Sequence, residues 1–174
     1  MITRSLDGAA FFRMLSPRWS WAPTSGDGAA LQGGRLNRKG TPALYLADRP
    51  ETAIAEYQQA SALLPPGMLV NYEVTLDKVV DFSNGYAPDW DPLWQDLGCD
   101  WRKLVFADNL EPPTWVIADH CQKLGFKGII FPSAALAGGF NLVVFTSSLE
   151  AADSLSVFDP RGDLPRDQAS WKEA

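Results

Sequence analysis

The stretch "GGRLNRKGTPALYLADRPETAIAEY", residues 33–57, sets a glycine pair, an arginine, a short apolar strand and a helix in one run. "ALYLA" (43–47) alternates as a strand does, with Leu44 and Leu46 on one face and Tyr45 on the other. With the leucines in the core, Tyr45 faces a cleft or solvent. Asp48 then reads as a helix N-cap, Pro50 as a first-turn residue that needs no N–H, and Glu51 as a capping-box carboxylate. The pattern predicts a helix to about Leu63, ahead of the stop at Pro65, Pro66 and Gly67. Spacing of 3.6 residues aligns Ala53, Tyr57, Ala60 and Leu64, puts Glu56 at the edge of that stripe, and leaves Glu51 on the solvated side. Core-building does not require Arg35, Tyr45 or Glu56, so these three form a candidate site.

Downstream, "LVNYEVTL" (69–76) alternates cleanly, and "VVDFS" (79–83) pairs with it or continues it. Residues 84–118 carry Trp90, Trp94, Trp101 and Trp115 among prolines and acids, and predict one short helix around 90–97 within irregular loops. "TWVIADHCQKLG" (114–125) reads as a helix closed by Gly125. "KGIIFPS" is a buried strand, "AALAGGF" a loop and "NLVVFT" a further strand. Upstream, residues 16–34 are rich in Pro, Gly and Ser and read as a long ordered loop. The "GDGAAL" within it lacks the third glycine and the preceding strand of a dinucleotide fingerprint. Strands and helices mix without strict βαβ alternation, so the expected class is α+β: a single domain with a mixed sheet and flanking helices. The domain is expected over 1–150. The polar segment 151–174, broken by Pro160 and Pro165, reads as a surface extension.

The 174 residues, 46% hydrophobic and 21% charged, suit one ordinary globular core. The longest apolar runs are too short to cross a bilayer, and no secretory signal is expected in "MITRSLDGAAFFRML". Cys99 and Cys121 form neither a metal pair nor a disulfide framework, which points to a reducing cytoplasm. A net charge of −6, with no basic cluster beyond "RLNRK", argues against nucleic-acid binding. The single histidine, His120, excludes a histidine-rich metal site.

Arg35 follows two glycines, where backbone can approach a ligand and a guanidinium can grip phosphate; it also reads as a surface arginine of a turn. Tyr45 can stack on a flat ring or merely cover the sheet. Glu56 can act as an electrostatic or general-base carboxylate, or be one more solvated helix glutamate. Ser133 sits in a turn after a buried strand, and Asn141 opens the next strand. Arg13, behind two aromatics, is a buried partner or a second anion ligand. The seven tryptophans, with Asp89, Asp91 or Glu111, offer an alternative: a carbohydrate-binding or glycoside-cleaving protein. Trp90 and Trp94 at helical spacing read as core. A second alternative is a non-catalytic partner-binding module in which Arg35 and Glu56 form only an ion pair.

The order of the motifs weighs more than any one of them. "FFR", "SGDGAALQGGRLN", "GTPALYLA", "AIAEY" and "GIIFPSAALAGGFNLVVF" resemble the RES domain family, named for an arginine, a glutamate and a serine in that order. The matching positions are Arg13, Arg35, Tyr45, Glu56, Ser133 and Asn141, within residues 11–146; Leu36 stands where the family often has tryptophan. The resemblance implies a toxin of a bacterial toxin–antitoxin pair with a fold similar to ADP-ribosyltransferase toxins, and makes 1–150 the NAD-binding catalytic domain. It implies cleavage of NAD+ at the nicotinamide–ribose bond without a metal, with ADP-ribose passed to a target protein, phosphate or water. It also implies Glu56, Arg35 and Tyr45 as catalytic residues, with Arg35, Tyr45, Ser133, Asn141 and Arg13 binding NAD+. The implied partner is an antitoxin with an Xre-like helix-turn-helix domain.

Overall fold

A computed structural model describes residues 1–59 and 61–171. Its strands are β1 (Thr3–Leu15), β2 (Leu44–Ala47), β3 (Met68–Asp81), β4 (Gly128–Pro132), β5 (Phe140–Val144) and β6 (Ser154–Val157). The α-helices are α1 (Asp27–Gln32), α2 (Pro50–Gln58) and α3 (Pro113–Lys123). Pairing runs β1–β2–β5–β4–β3 and returns from β3 to β1, closing a ring, with β6 added on β3. Only β3 and β4 are parallel; the other pairs are antiparallel. The result is an α+β domain on a mixed sheet.

Two-residue alternation divides the apolar side chains between the sheet's faces. On one face Leu44 and Leu46 of β2 join Tyr72 and Val74 of β3 and Leu142 and Val144 of β5 in one buried cluster. On the other, Val143 and Phe131 meet Ile117 and Cys121 of α3. That second cluster is completed by Phe82, Trp90 and Trp94, whose rings lie 4.8–5.2 Å apart, centroid to centroid. Tyr45 packs against this outer cluster, opposite its leucine neighbours.

Several local expectations change. The longest strand pairing is β1 with β3, and no element is expected from the sequence over the β1 stretch. Gly8, at φ 59°, sits at an irregularity in the β1 register, and this breaks the alternation there. Residues 79–81 continue β3. The expected loop at 16–34 contains α1, entered at Gly26, where a Cβ would stand 2.7 Å from the Ala43 nitrogen. The helix expected to reach Leu63 stops at Gln58, because Gln59 adopts φ 50° and the Tyr57 hydroxyl donates to the Pro66 carbonyl at 2.8 Å. Ala60 of the predicted stripe lies outside the described residues, and Leu64 is exposed. Arg49, not Asp48, occupies the N-cap. The Asp48 carboxylate instead accepts from Thr52 Oγ1 at 2.7 Å and the Phe140 N–H at 3.1 Å, fastening α2 to β5. The short helix near 90–97 is a 3-10 segment, Pro92–Gly98, and a π-helical turn follows at Lys103–Ala107. Within the segment read as a polar extension, Ser154–Val157 pairs with β3.

Candidate active site

A cavity of about 460 Å³ opens beside β2, α2 and the turn carrying Gly33 and Gly34. Five of the six residues singled out in the sequence line it: Arg13, Arg35, Tyr45, Glu56 and Asn141. The sixth, Ser133, meets it through Glu56.

Glu56 projects from the second turn of α2. Its Oε1 accepts two hydrogen bonds, from Ser133 Oγ at 2.7 Å and Asn141 Nδ2 at 2.6 Å. Ser133 has little choice of partner, since its Oγ already accepts from the N–H groups of Ala135 and Leu136, both at 3.1 Å. The one hydroxyl proton therefore goes to Glu56. No described residue donates to Oε2. Two strand ends, β4 with its following turn and the start of β5, thus hold one carboxylate oxygen of a residue that lines the cavity and leave the other without a protein donor among the described residues.

Arg35 lines the same cavity. Its Nη1 donates to the carbonyls of Leu97 at 2.8 Å and Cys99 at 3.0 Å. Burial lowers its pKa, while Cys99, Glu56 and Tyr45 oppose that and Arg102 adds to it. The loop holding it is fixed by Arg38, whose guanidinium meets Asp119 and Glu111 at 2.8 and 2.7 Å and lies over the Trp115 ring. Trp115 in turn donates its indole N–H to the Gly34 carbonyl at 2.8 Å.

Tyr45 binds at both sides of its hydroxyl: it donates to Asn37 Oδ1 at 2.8 Å and accepts the Leu36 N–H at 2.9 Å. Burial raises its pKa above the ordinary phenol range, so the group stays protonated. Asn37 is itself buried, and its amide donates to the carbonyls of Ala29, Arg38 and Thr41. Asn37 stands in the "GRLN" motif but has no role assignable from sequence, because its carbonyl partners come together only in the folded turn. Gly34 makes this possible. A Cβ there would lie 2.5 Å from Asn37 Oδ1 and 2.6 Å from the Tyr45 hydroxyl. Gly34→Ala should break the Tyr45–Asn37 bond and destabilise the fold by about 1–3 kcal/mol. Thermal denaturation checks this, and an unchanged melting temperature would refute it.

Arg13, on β1, is half-buried beside Tyr72. Burial lowers its pKa and Tyr72 opposes that, while the Tyr72 phenol is itself pushed up to about 12 by burial. A third cation on the cavity wall, Arg102, could not be found from sequence, since nothing in residues 84–118 says which way that segment folds. Among the described residues, none of Arg13, Arg35 and Arg102 forms an ion pair, including with Glu56. Three guanidinium groups therefore face a cavity with one carboxylate, an arrangement suited to an anionic ligand.

Several groups that the alternatives would draw on are engaged elsewhere. Trp90 and Trp94 are 4% exposed and cannot stack on a sugar. Asp89 pairs with the N-terminus, Asp91 caps the Leu93 N–H, and Glu111 belongs to Arg38. An Arg35–Glu56 ion pair, the basis of the partner-binding module, is not formed. Among the described residues, no helix is long and apolar enough to cross a membrane.

Comparison with curated protein sequences gives no match. Among solved structures, the chain is similar to one in the crystal structure of the M. tuberculosis MbcT–MbcA toxin–antitoxin complex. The TM-score is 0.56 and the identity 21%, over 91% of this chain and 84% of that one. At that identity the likeness speaks for the fold. A family model described as the RES domain matches residues 10–167, from the middle of β1 past β6. Spanning nearly the whole sheet and every residue around the cavity, that match places the chain in the RES domain family.

Proposed function

We propose that this chain is the toxin component of a bacterial type II toxin–antitoxin pair, acting in the cytoplasm by cleaving NAD+ at its nicotinamide–ribose bond. Family membership supports the reading, as does the likeness in fold to a chain from a toxin–antitoxin complex. The observation that carries it is local. Glu56, held at Oε1 by Ser133 and Asn141 and with no donor to Oε2 among the described residues, lines a cavity otherwise charged by Arg13, Arg35 and Arg102.

NAD+ supplies what those groups can use: an anionic diphosphate for the guanidinium groups and a ribose whose C1′ becomes positive as its bond to nitrogen breaks. The bonding electron pair leaves with nicotinamide, which departs neutral. Glu56 faces the developing oxocarbenium charge, and such preorganised charge is commonly the largest catalytic term. An acceptor oxygen then bonds to C1′ and gives up its proton, for which Glu56 is the nearest base. Tyr45, protonated and held in place, serves as a flat wall and not as an acid. Ser133 and Asn141 act as positioning residues. The acceptor is a target-protein side chain, phosphate or water, and the partner is an antitoxin with an Xre-like helix-turn-helix domain.

Incubating the pure protein with labelled NAD+ and cell lysate, with and without added phosphate, tests this. Nicotinamide release is expected throughout. Label fixed on a protein, free ADP-ribose or its phosphate ester identifies the acceptor. No nicotinamide release under any condition overturns the reading.

A further inference from the structure

Part of the cavity wall is not used by the chemistry at Glu56. Trp101, Arg102 and Phe106 line it together, on the segment that turns π-helically at Lys103–Ala107. Single π-helical turns are rare and frequently occur at functional sites. Phe106 is 61% exposed, yet its ring packs on that of the buried Trp101, 6.0 Å away between centroids. The Arg102 guanidinium lies over the Trp101 ring at 4.8 Å. An exposed ring packed on a buried aromatic that itself carries a planar cation makes a stacking platform with a phosphate ligand near it.

Arg35 relates this platform to the reacting end. Its Nη1 is tied to the carbonyls of Leu97 and Cys99, just ahead of Trp101 in the chain. Glu56 is tied instead to Ser133 and Asn141. Glu56, Arg35 and Phe106 line the same cavity, so one dinucleotide can meet all three, with its second nucleoside left for Phe106.

We propose that Phe106, backed by Trp101, stacks the purine of the dinucleotide while Arg102 binds the adjoining phosphate, so that this segment selects dinucleotides over mononucleotides. This rests on the NAD+ reading above, and it predicts something that reading does not. In the wild-type chain, kcat/KM for NAD+ should exceed that for nicotinamide mononucleotide, which has the same scissile bond but no adenylate. Phe106→Ala should cut that ratio roughly tenfold, the range of one base–aromatic stack. Phe106→Trp should restore the ratio, and Phe106→Leu should not. Because Phe106 is largely exposed, these substitutions leave the core intact.

Calorimetric titration with ADP supplies an independent arm. Phe106→Ala should weaken ADP binding roughly tenfold, and Arg102→Gln should weaken it as well. A wild-type chain that cleaves NAD+ while the ratio and ADP affinity ignore both substitutions overturns the platform alone. A chain that cleaves neither nucleotide overturns the NAD+ reading, and ADP binding then decides the platform by itself: sensitivity to Phe106→Ala supports it, indifference refutes it.

Discussion

On the proposed NAD+ reading, Glu56→Gln should release nicotinamide about 10²- to 10³-fold more slowly than the wild-type chain, the cost of removing one preorganised electrostatic group, and should melt at the same temperature. The second half of that expectation comes from the hydrogen bonds. Glutamine keeps an Oε1 that can accept from Ser133 and Asn141, so the strand ends stay in place and only the charge at the cavity is lost. Glu56→Ala is a poorer test. It leaves the Asn141 amide, 8% exposed, without its acceptor, and an orphaned buried donor costs about 1–3 kcal/mol. Chromatographic assay of released nicotinamide alongside thermal denaturation separates the two effects. Full turnover by the glutamine variant would remove Glu56 from the reaction.

Arg35→Ala lowers NAD+ affinity about 10²-fold, since hydrogen bonds to charged groups contribute about 1.5–3 kcal/mol each. The measurement belongs in the Glu56→Gln background, where substrate survives a calorimetric titration. Arg35→Lys recovers little. A lysine ammonium keeps the charge but has no planar fork with which to hold the Leu97 and Cys99 carbonyls and a phosphate together. Unchanged affinity in Arg35→Ala would reassign the diphosphate to Arg13 and Arg102.

Where periodicity and turn chemistry speak locally, the sequence is a good guide. The alternation of Leu44, Tyr45 and Leu46 places the tyrosine on the face opposite its neighbours, as found. Gly125, at φ 80°, closes α3, and Trp90 and Trp94 are core. The losses share a cause. Asp48 has the chemistry of an N-cap, but its carboxylate is taken by Phe140, 92 residues away, and local preference yields to that tertiary contact. The early end of α2 likewise depends on a bond from Tyr57 to Pro66 across the loop. β1 hides behind small and polar residues and an irregular register, and becomes a strand only because β3 lies beside it. For the candidate site, motif order supplies the residues around Glu56, whereas Arg102, Trp101 and Phe106 follow from a segment whose path only the fold determines.

The partners of Glu56 lie 77 and 85 residues further along the chain. A ribosome adding about 5–20 residues per second takes roughly 4–17 s to travel from the carboxylate to the last group that steadies it. Throughout that interval the Glu56 carboxylate lacks at least one of its two donors. Premature termination before Asn141 yields a fragment lacking half of the clamp. Until Asn141 has been made and has folded against α2, the pair of donors at that carboxylate is incomplete.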